Sequence, residues 1–244
     1  MMPPLRRLRD VLGRLRRDRS GLAMLEFAFT APIVLGIGCY GTEMANLALI
    51  NMRVSQIALN LADNASRVGT YSSLTTQQLR EVDVNDILQA ARIQGQGIKL
   101  TTNGRITLTS LENVQQSYDT ANVQRIHWQR CIGLQNGAAY DSQFKANVST
   151  AAGTTATVAN KGYDLAAGIS DNGSAAINAP GGSGLMYVEI NYLTKPLFGT
   201  WLTAPQRIHY IASFIVRDRR DYSMLYNPTT TPATTRATCD LYAA

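Results

Sequence analysis

The sequence is poor in charge, cysteine and histidine. Charged residues make up 16% of its 244 residues, against about 25% in a typical soluble protein. Three cysteines and two histidines are too few for an array of zinc sites or for a small domain held by many disulfides. No histidine–glutamate metal motif, nucleophile elbow or phosphate-binding glycine loop accompanies them. We therefore expect no enzyme, no catalytic residue, no metal or cofactor, and no small-molecule substrate.

The positive charge lies in one short segment. Seven arginines and two aspartates give residues 1–20 a formal charge of +5, which leaves only +1 of the total +6 for the rest of the chain. A nucleic-acid-binding domain carries its positive charge on a folded face. The distribution therefore argues against nucleic acid as a partner and defines residues 1–21 as a basic leader.

An uninterrupted apolar segment follows the leader. Residues 22–41 read LAMLEFAFTAPIVLGIGCYG and carry a single charge, that of Glu26. As a helix they would be about 30 Å long, which matches the hydrocarbon core of a bilayer. Basic residues accumulate on the cytoplasmic side of such spans, so we expect a cytoplasmic N-terminus and an exported remainder. A secretory signal peptide is the alternative, although its apolar region is normally shorter and uncharged.

Glu26 decides between these interpretations. A carboxylate inside a membrane span costs several kcal/mol, so such residues are functional unless a partner is found. The order of basic leader, Gly21, four apolar residues, Glu26 and Phe27 resembles the class III signal of type IV pilins and pseudopilins. The resemblance implies that a prepilin peptidase cuts between Gly21 and Leu22. The new α-ammonium group could then pair with Glu26 of a neighbouring subunit, while the alternative is an ordinary anchor with a stray glutamate.

The helical pattern continues beyond the apolar segment. Apolar residues recur at steps of three and four from Leu47 to Val68, and Gly69 is a reasonable stop signal. The pattern predicts one transmembrane and amphipathic helix within residues 22–69. Its outer half would pack either on the exported domain or on sister helices.

The remaining sequence, residues 70–244, predicts an exported α+β domain. Residues 83–94 have the capping residues and apolar face of a short second helix. Four segments have strand patterns, and together they predict an antiparallel sheet packed on the long helix: residues 104–111, 123–131, 185–193 and 208–216. The last of these is apolar on both sides, as a central or well-covered strand should be.

A long insertion of weak pattern separates the second and third of these strands, at about residues 135–184. It is rich in Gly, Ala, Ser and Thr. Such a segment is either a functional loop or a mobile one, and its small polar residues favour mobility.

The two exported cysteines are Cys131 and Cys239, since Cys39 falls in the apolar segment. In an oxidising compartment we predict a disulfide between them, which would tie the tail to the second strand. Two free thiols are the alternative. His127 and His209 lie in strand candidates and are interpreted as hydrogen-bonded strand residues.

Three segments are similar to one known family. RDRSG at residues 17–21, which leads into LEFAFTAP at 25–32, resembles the N-terminal signature of TadE/TadG-like minor pseudopilins of the tight-adherence (Flp) type IV pilus. VEINYLTKPLF at 188–198 is similar to a later motif of that family, and IHWQRCIG at 126–133 to longer TadE-like members. The chain is too short for the von Willebrand-type domain of TadG, so a TadE-like protein is the preferred interpretation.

The resemblance implies an inner-membrane subunit that a prepilin peptidase processes after Gly21. Its partners would be other pilins and the proteins of the assembly platform, and it would act in fibre initiation, capping or adhesion. Its C-terminal domain would lie in the periplasm or in the pilus. The competing hypothesis is a permanently anchored, single-pass periplasmic binding module that never enters a filament.

Overall fold

The fold is described from a computed structural model of the chain. The structure describes residues 13, 14, 16, 21–69, 75–144, 152–171, 173–228 and 234–244. Most of the basic leader predicted at residues 1–21, and part of the insertion, therefore lie outside the described residues.

One long helix, α1, spans Leu22–Arg67, as the sequence pattern predicted. Gly21 precedes its first residue, and the backbone turns to an extended conformation at Val68. Pro32 lies inside the helix, in the apolar half, where membrane helices tolerate proline. The outer half packs on the domain rather than standing free, because Val54, Ala58 and Ala62 are fully buried.

A second helix, α2, spans Glu81–Gln94, two residues longer at its start than predicted. Asp83 lies in the first turn, where its carboxylate accepts the backbone N–H of Arg80 at 3.0 Å. It thus satisfies a donor left free at the helix start. A 3₁₀ turn at Gln96–Ile98 and a one-turn helix, α3, at Leu100–Asn103 then lead into the sheet.

The five strands form one antiparallel sheet in the order β3-β2-β1-β4-β5. Their bounds are β1 Gly104–Val114, β2 Val123–Ile132, β3 Tyr163–Asp164, β4 Ser183–Leu193 and β5 Arg207–Ile215. Together with the helices this is the predicted α+β fold. The sequence pattern did not predict β3, because two residues are too few to show alternation.

The helices cover one face of the sheet. Alternate residues of β4 point to this face, so that Met186, Val188 and Ile190 join Ile57 and Leu61 of α1 in the main apolar core. Residues of α2 and β1 complete this core. The apolar residues that recur every second position in the strand thus pack on those that recur every third or fourth position in the helix. Both patterns were visible in the sequence because each marks a buried face.

The insertion covers the opposite face. Ala152, Ile169 and Ala179 from the insertion are buried with Leu111 and Tyr187 in a second apolar cluster. The mobility that composition favours stays a prediction; among the described residues of the insertion, 135–144, 152–171 and 173–184, those of this cluster pack on the sheet and many others are exposed.

Strand β5 corrects one expectation. Its apolar residues on both sides suggested a central or well-covered strand, yet β5 is at the edge of the sheet and Ile215 is 47% exposed. The central strand is β1, whose polar residues Thr107 and Thr109 are buried. Helix α1 covers one face of β5, and this contact accounts for part of its apolar character.

A buried ion pair joins α2 to the sheet. Glu81 accepts hydrogen bonds from Arg130 Nε at 2.9 Å and from Nη2 at 2.5 Å, and neither side chain is exposed to solvent. Because both groups have lost water, removing one partner leaves the other charge uncompensated. The pair therefore fixes where the start of α2 sits on the helix-covered face.

We predict that Glu81→Gln lowers the free energy of unfolding by about 3–5 kcal/mol, because Arg130 would remain buried without its counter-ion. Urea titration of the full-length chain in detergent, monitored by tryptophan fluorescence, measures this change in the free energy of unfolding. The control is Asp63→Asn, which breaks the exposed pair with Arg67 and should cost less than about 1 kcal/mol.

The double variant Glu81→Leu with Arg130→Met should recover most of the lost stability, since it removes both charges together. Equal, small losses in Glu81→Gln and Asp63→Asn would contradict the importance of the buried pair.

Candidate functional site

The inner half of α1 is apolar and exposed. Met24 is 78% exposed, Phe27 70% and Ile37 69%, although such side chains normally avoid water. Among the described residues this helix alone is long and apolar enough to cross a membrane, and the apolar part of it is not buried by the rest of the chain. The chain thus has one candidate membrane-spanning helix near its N-terminus.

The predicted processing residues lie at the start of this helix. Gly21 accepts the backbone N–H of Leu25 at 3.0 Å, and Leu22 is the first helical residue. A peptide bond at the very start of a helix lacks the hydrogen bonds of the helix interior. The bond between Gly21 and Leu22 is therefore positioned at the basic end of the apolar segment.

Glu26 and Phe27 follow on the first turns and are both exposed. Thr30 donates its hydroxyl to the backbone oxygen of Glu26 at 2.8 Å, so it does not bind the carboxylate. Among the described residues, no donor lies within hydrogen-bonding distance of the Glu26 carboxylate. The structure therefore leaves this charge on a surface that is otherwise apolar.

Glu43 is a site that the sequence analysis missed. It lies on α1 two residues beyond the apolar segment and is only 5% exposed. Its Oε2 accepts backbone N–H groups from Leu197 at 2.9 Å and from Phe198 at 3.3 Å. The signal in the sequence was an isolated carboxylate on the apolar side of a helix, but the partner is backbone and carries no residue-type pattern.

The disulfide lies at a separate place in the domain. The structure joins Cys131 of β2 to Cys239, the two cysteines paired in the sequence analysis. Cys131 N–H also donates to the backbone oxygen of Ala237 at 2.7 Å. A link that closes a loop of 108 residues restricts the unfolded chain and contributes about 4–5 kcal/mol in the chain-entropy account.

Arg105 also contacts the C-terminal segment that carries Cys239. Its side chain is 1% exposed, and its guanidinium donates to the backbone oxygen of Cys239 at 2.5 Å. The same group forms an ion pair with Asp141 at 3.2 Å and lies 4.3 Å from the centre of the Tyr242 ring. Burial lowers the pKa of Arg105, while Asp141 opposes this shift. The contacts fix residues 237–244 against the sheet.

A polar cavity of about 170 Å³ lies beneath the disulfide. Its walls include Arg105, Gln129, Asp141 and Ser142, and Gln129 Oε1 is buried with no hydrogen-bond partner among the described residues. A polar cavity of this size holds several waters or a small polar molecule. Its chemistry allows binding of a hydrogen-bond donor at Gln129.

The two histidines lie in strands, as expected. His209 Nδ1 is 2.7 Å from Asn191 Oδ1, and its Nε2 is 3.1 Å from Asp171 Oδ2. His127 stands where the β1–β2 register shifts, and its Nδ1 is 3.1 Å from Glu112 Oε1. Within the described ranges, no group of three histidine, cysteine, aspartate or glutamate side chains could hold a metal ion.

Glu189 is a buried carboxylate on the same face of β4 as Tyr187. It is 4% exposed, and its Oε2 has no hydrogen-bond partner among the described residues. Burial raises the pKa of Glu189, and a hydrogen bond from Ser142 opposes this. Because its pKa is raised in the folded state, Glu189 takes up a proton on folding when the pH lies above its unfolded pKa of about 4.3.

The predicted site residues thus form two separate places. Gly21, Leu22, Glu26 and Phe27 lie together on the first turns of α1, while the disulfide lies in the sheet domain. Comparisons of the chain with protein-family models, with curated proteins and with solved structures found no significant match.

We predict that Glu189→Gln stabilises the protein at pH 7 but has little effect at pH 4. At pH 4, just below the unfolded pKa of about 4.3, the glutamate is mostly protonated in both states, and as the pH rises towards its folded pKa the wild type loses stability that the amide retains. Urea unfolding of both chains at the two pH values measures the difference. A stability difference that does not change with pH would contradict this assignment.

Proposed function

We propose that this protein is a TadE-like minor pseudopilin of a tight-adherence (Flp) pilus. It would be anchored in a bacterial inner membrane by α1, with its N-terminus in the cytoplasm and its sheet domain in the periplasm or in the pilus. The observation that carries the proposal is Glu26, a carboxylate on the exposed apolar half of the helix, five residues after Gly21, with no hydrogen-bond donor among the described residues.

The energetics of Glu26 support assembly. A carboxylate in the middle of a span costs about 2.5–3.5 kcal/mol on insertion scales, and less near the interface. A prepilin peptidase that cut after Gly21 would create an α-ammonium group on Leu22. Pairing between this group on one subunit and Glu26 on the next would remove the penalty only in the assembled state, and so would favour assembly in one register.

The continuity of α1 supports the same function. A single helix carries the exposed apolar surface into the core of the sheet domain, where Val54 and Ala58 are fully buried. Packing in the membrane would therefore set the position of the whole exported domain. The partners of the exposed half would be other pilins and the assembly platform proteins.

We expect the mature protein to begin at Leu22. N-terminal sequencing and intact mass of the chain purified from its native membrane test this directly. The matched control is Gly21→Leu, which should remain uncut since the peptidase cuts after a glycine in the family that the chain resembles. A wild-type chain that keeps its arginine-rich start would reject processing.

We further expect Glu26→Ala to insert into the membrane as wild type does but to lower pilus assembly strongly, because it removes a partner charge and not apolar length. Membrane fractionation and counts of pili per cell are the two measurements. The exposed neighbour variant Phe27→Leu keeps the apolar character and serves as the control. Normal piliation with Glu26→Ala would reject the role assigned to this residue.

The second candidate function is a permanently anchored periplasmic binding module. The polar cavity beneath the disulfide favours this alternative, because Gln129 Oε1 has no hydrogen-bond partner there among the described residues and could accept a donor. It predicts an uncut N-terminus, so the sequencing experiment separates the two functions.

A further inference from the structure

The loop between β4 and β5 returns from the sheet to α1. Two hydrogen bonds close its base, since the backbone N–H of Thr194 donates to the oxygen of Gln206 and the N–H of Gln206 donates to Thr194 Oγ1, both at 2.8 Å. We call residues 195–205 the β4–β5 loop. It lies against the side of α1, where Pro196 and Ala204 line a narrow groove with Met44 and Leu47.

The surface of this loop is apolar. Trp201 is 75% exposed, Leu197 58% and Phe198 38%. The loop contains no acidic residue, and its one charge is that of Lys195, which is exposed. Exposed apolar side chains grouped in one loop mark a contact surface rather than ordinary protein surface.

The hydrogen bonds to Glu43 set the height of the loop along α1. Glu43 is two residues beyond the apolar segment of residues 22–41, which is a rise of about 3 Å along the helix. Leu197 and Phe198 donate their backbone N–H groups to it. The exposed side chains of Leu197 and Phe198 are therefore carried close to the level where the span ends. Tyr40, 51% exposed on α1, lies at the same level.

We propose that the β4–β5 loop is a second membrane contact, which lies in the interfacial region of the leaflet from which α1 emerges. Trp201, Phe198 and Leu197 would enter the boundary between headgroups and acyl chains, where aromatic residues are enriched in membrane proteins. Lys195 would extend its ammonium group towards lipid phosphates.

Three observations favour lipid over a protein partner. Leu197 and Phe198 are held beside α1 just beyond its exposed apolar segment, the only charge of the loop is positive, and Glu43 bonds the backbone of these two residues to the helix. The inference requires only that α1 spans a membrane, so it holds whether or not the chain enters a filament.

The tilt of the domain follows from this contact. With α1 alone, the sheet domain would be attached to the membrane along one axis and could tilt with the helix. A second contact displaced from that axis fixes the direction in which the domain leans. Glu43 is then a positioning residue, because its carboxylate holds the loop tip at the depth where the side chains meet lipid.

The two tryptophans of the chain allow a direct test. Trp201 is 75% exposed on the loop, while Trp128 is 4% exposed in the core of the domain. We would reconstitute the full-length chain in phosphatidylcholine vesicles with bromine on the upper acyl carbons, which quenches tryptophan at short range. The Trp201→Phe variant reports Trp128 alone, and the difference between the two proteins reports Trp201.

We expect brominated lipid to remove at least about half of the Trp201 emission and to leave that of Trp128 unchanged, as for an interfacial and a buried indole respectively. Flotation of the vesicles confirms that both proteins are inserted. Full Trp201 emission in brominated vesicles would overturn the proposal. Acrylamide, added in water, then distinguishes a solvated loop, which it quenches, from a loop covered by a second copy, which it does not.

Glu43→Ala tests the positioning role. It removes the acceptor for the two loop N–H groups, so we expect the quenching of Trp201 by brominated lipid to fall at least about twofold. Glu43→Gln keeps an acceptor oxygen and should retain most of the quenching. Equal quenching in the wild type and both variants would overturn the role of Glu43.

Discussion

The change of environment along one helix determines the organisation of this protein. Helix α1 keeps a single hydrogen-bonded backbone over 46 residues, yet its two halves face different surroundings. From Ile50 onwards the apolar residues on one side of α1 are buried against the sheet, while the large apolar residues before Tyr40 are exposed. Because apolar surface is stable only away from water, the fold covers one side of the outer half, and the exposed inner half is a candidate membrane span.

The placement of carboxylates follows from the same division. In the domain, Glu81 is matched by Arg130, and Glu43 accepts two backbone N–H groups. Glu189 instead has its pKa raised by burial. Glu26 differs from all three, because it lies outside the domain and has no donor among the described residues. This contrast supports an intermolecular role, since a buried or lipid-exposed charge is stable only when something compensates it.

The domain is stabilised from both faces of its sheet by different means. Helices cover one face with the main apolar core, and the insertion covers the other with a smaller cluster that includes Ile169 and Leu165. The polar end of that second face is closed by the disulfide between Cys131 and Cys239 and by Arg105. A covalent link and buried hydrogen bonds there add to the apolar contacts of the insertion.

Hydrophobic periodicity in the sequence predicted the helices and strands that bury one face along their length. The steps of three and four in α1, and the alternation at Met186, Val188 and Ile190 in β4, report a face that is buried along several residues in a row. They located both long helices and four of the five strands within three residues. The edge position of β5 was missed, because the apolar residues of a strand indicate that it is covered but do not indicate whether other strands pair with it on both sides.

The sequence by itself determined the elements, the membrane-sized apolar segment, and the two cysteines available outside it, since each depends on residue type and spacing along the chain. Only the tertiary structure decided that the insertion packs on the sheet and that Glu43 binds the β4–β5 loop. These contacts join residues up to about 150 positions apart, and several of them are made through backbone groups. Almost every residue carries a backbone N–H and C=O group, so no pattern of side chains in the sequence shows which of these groups will be the partner.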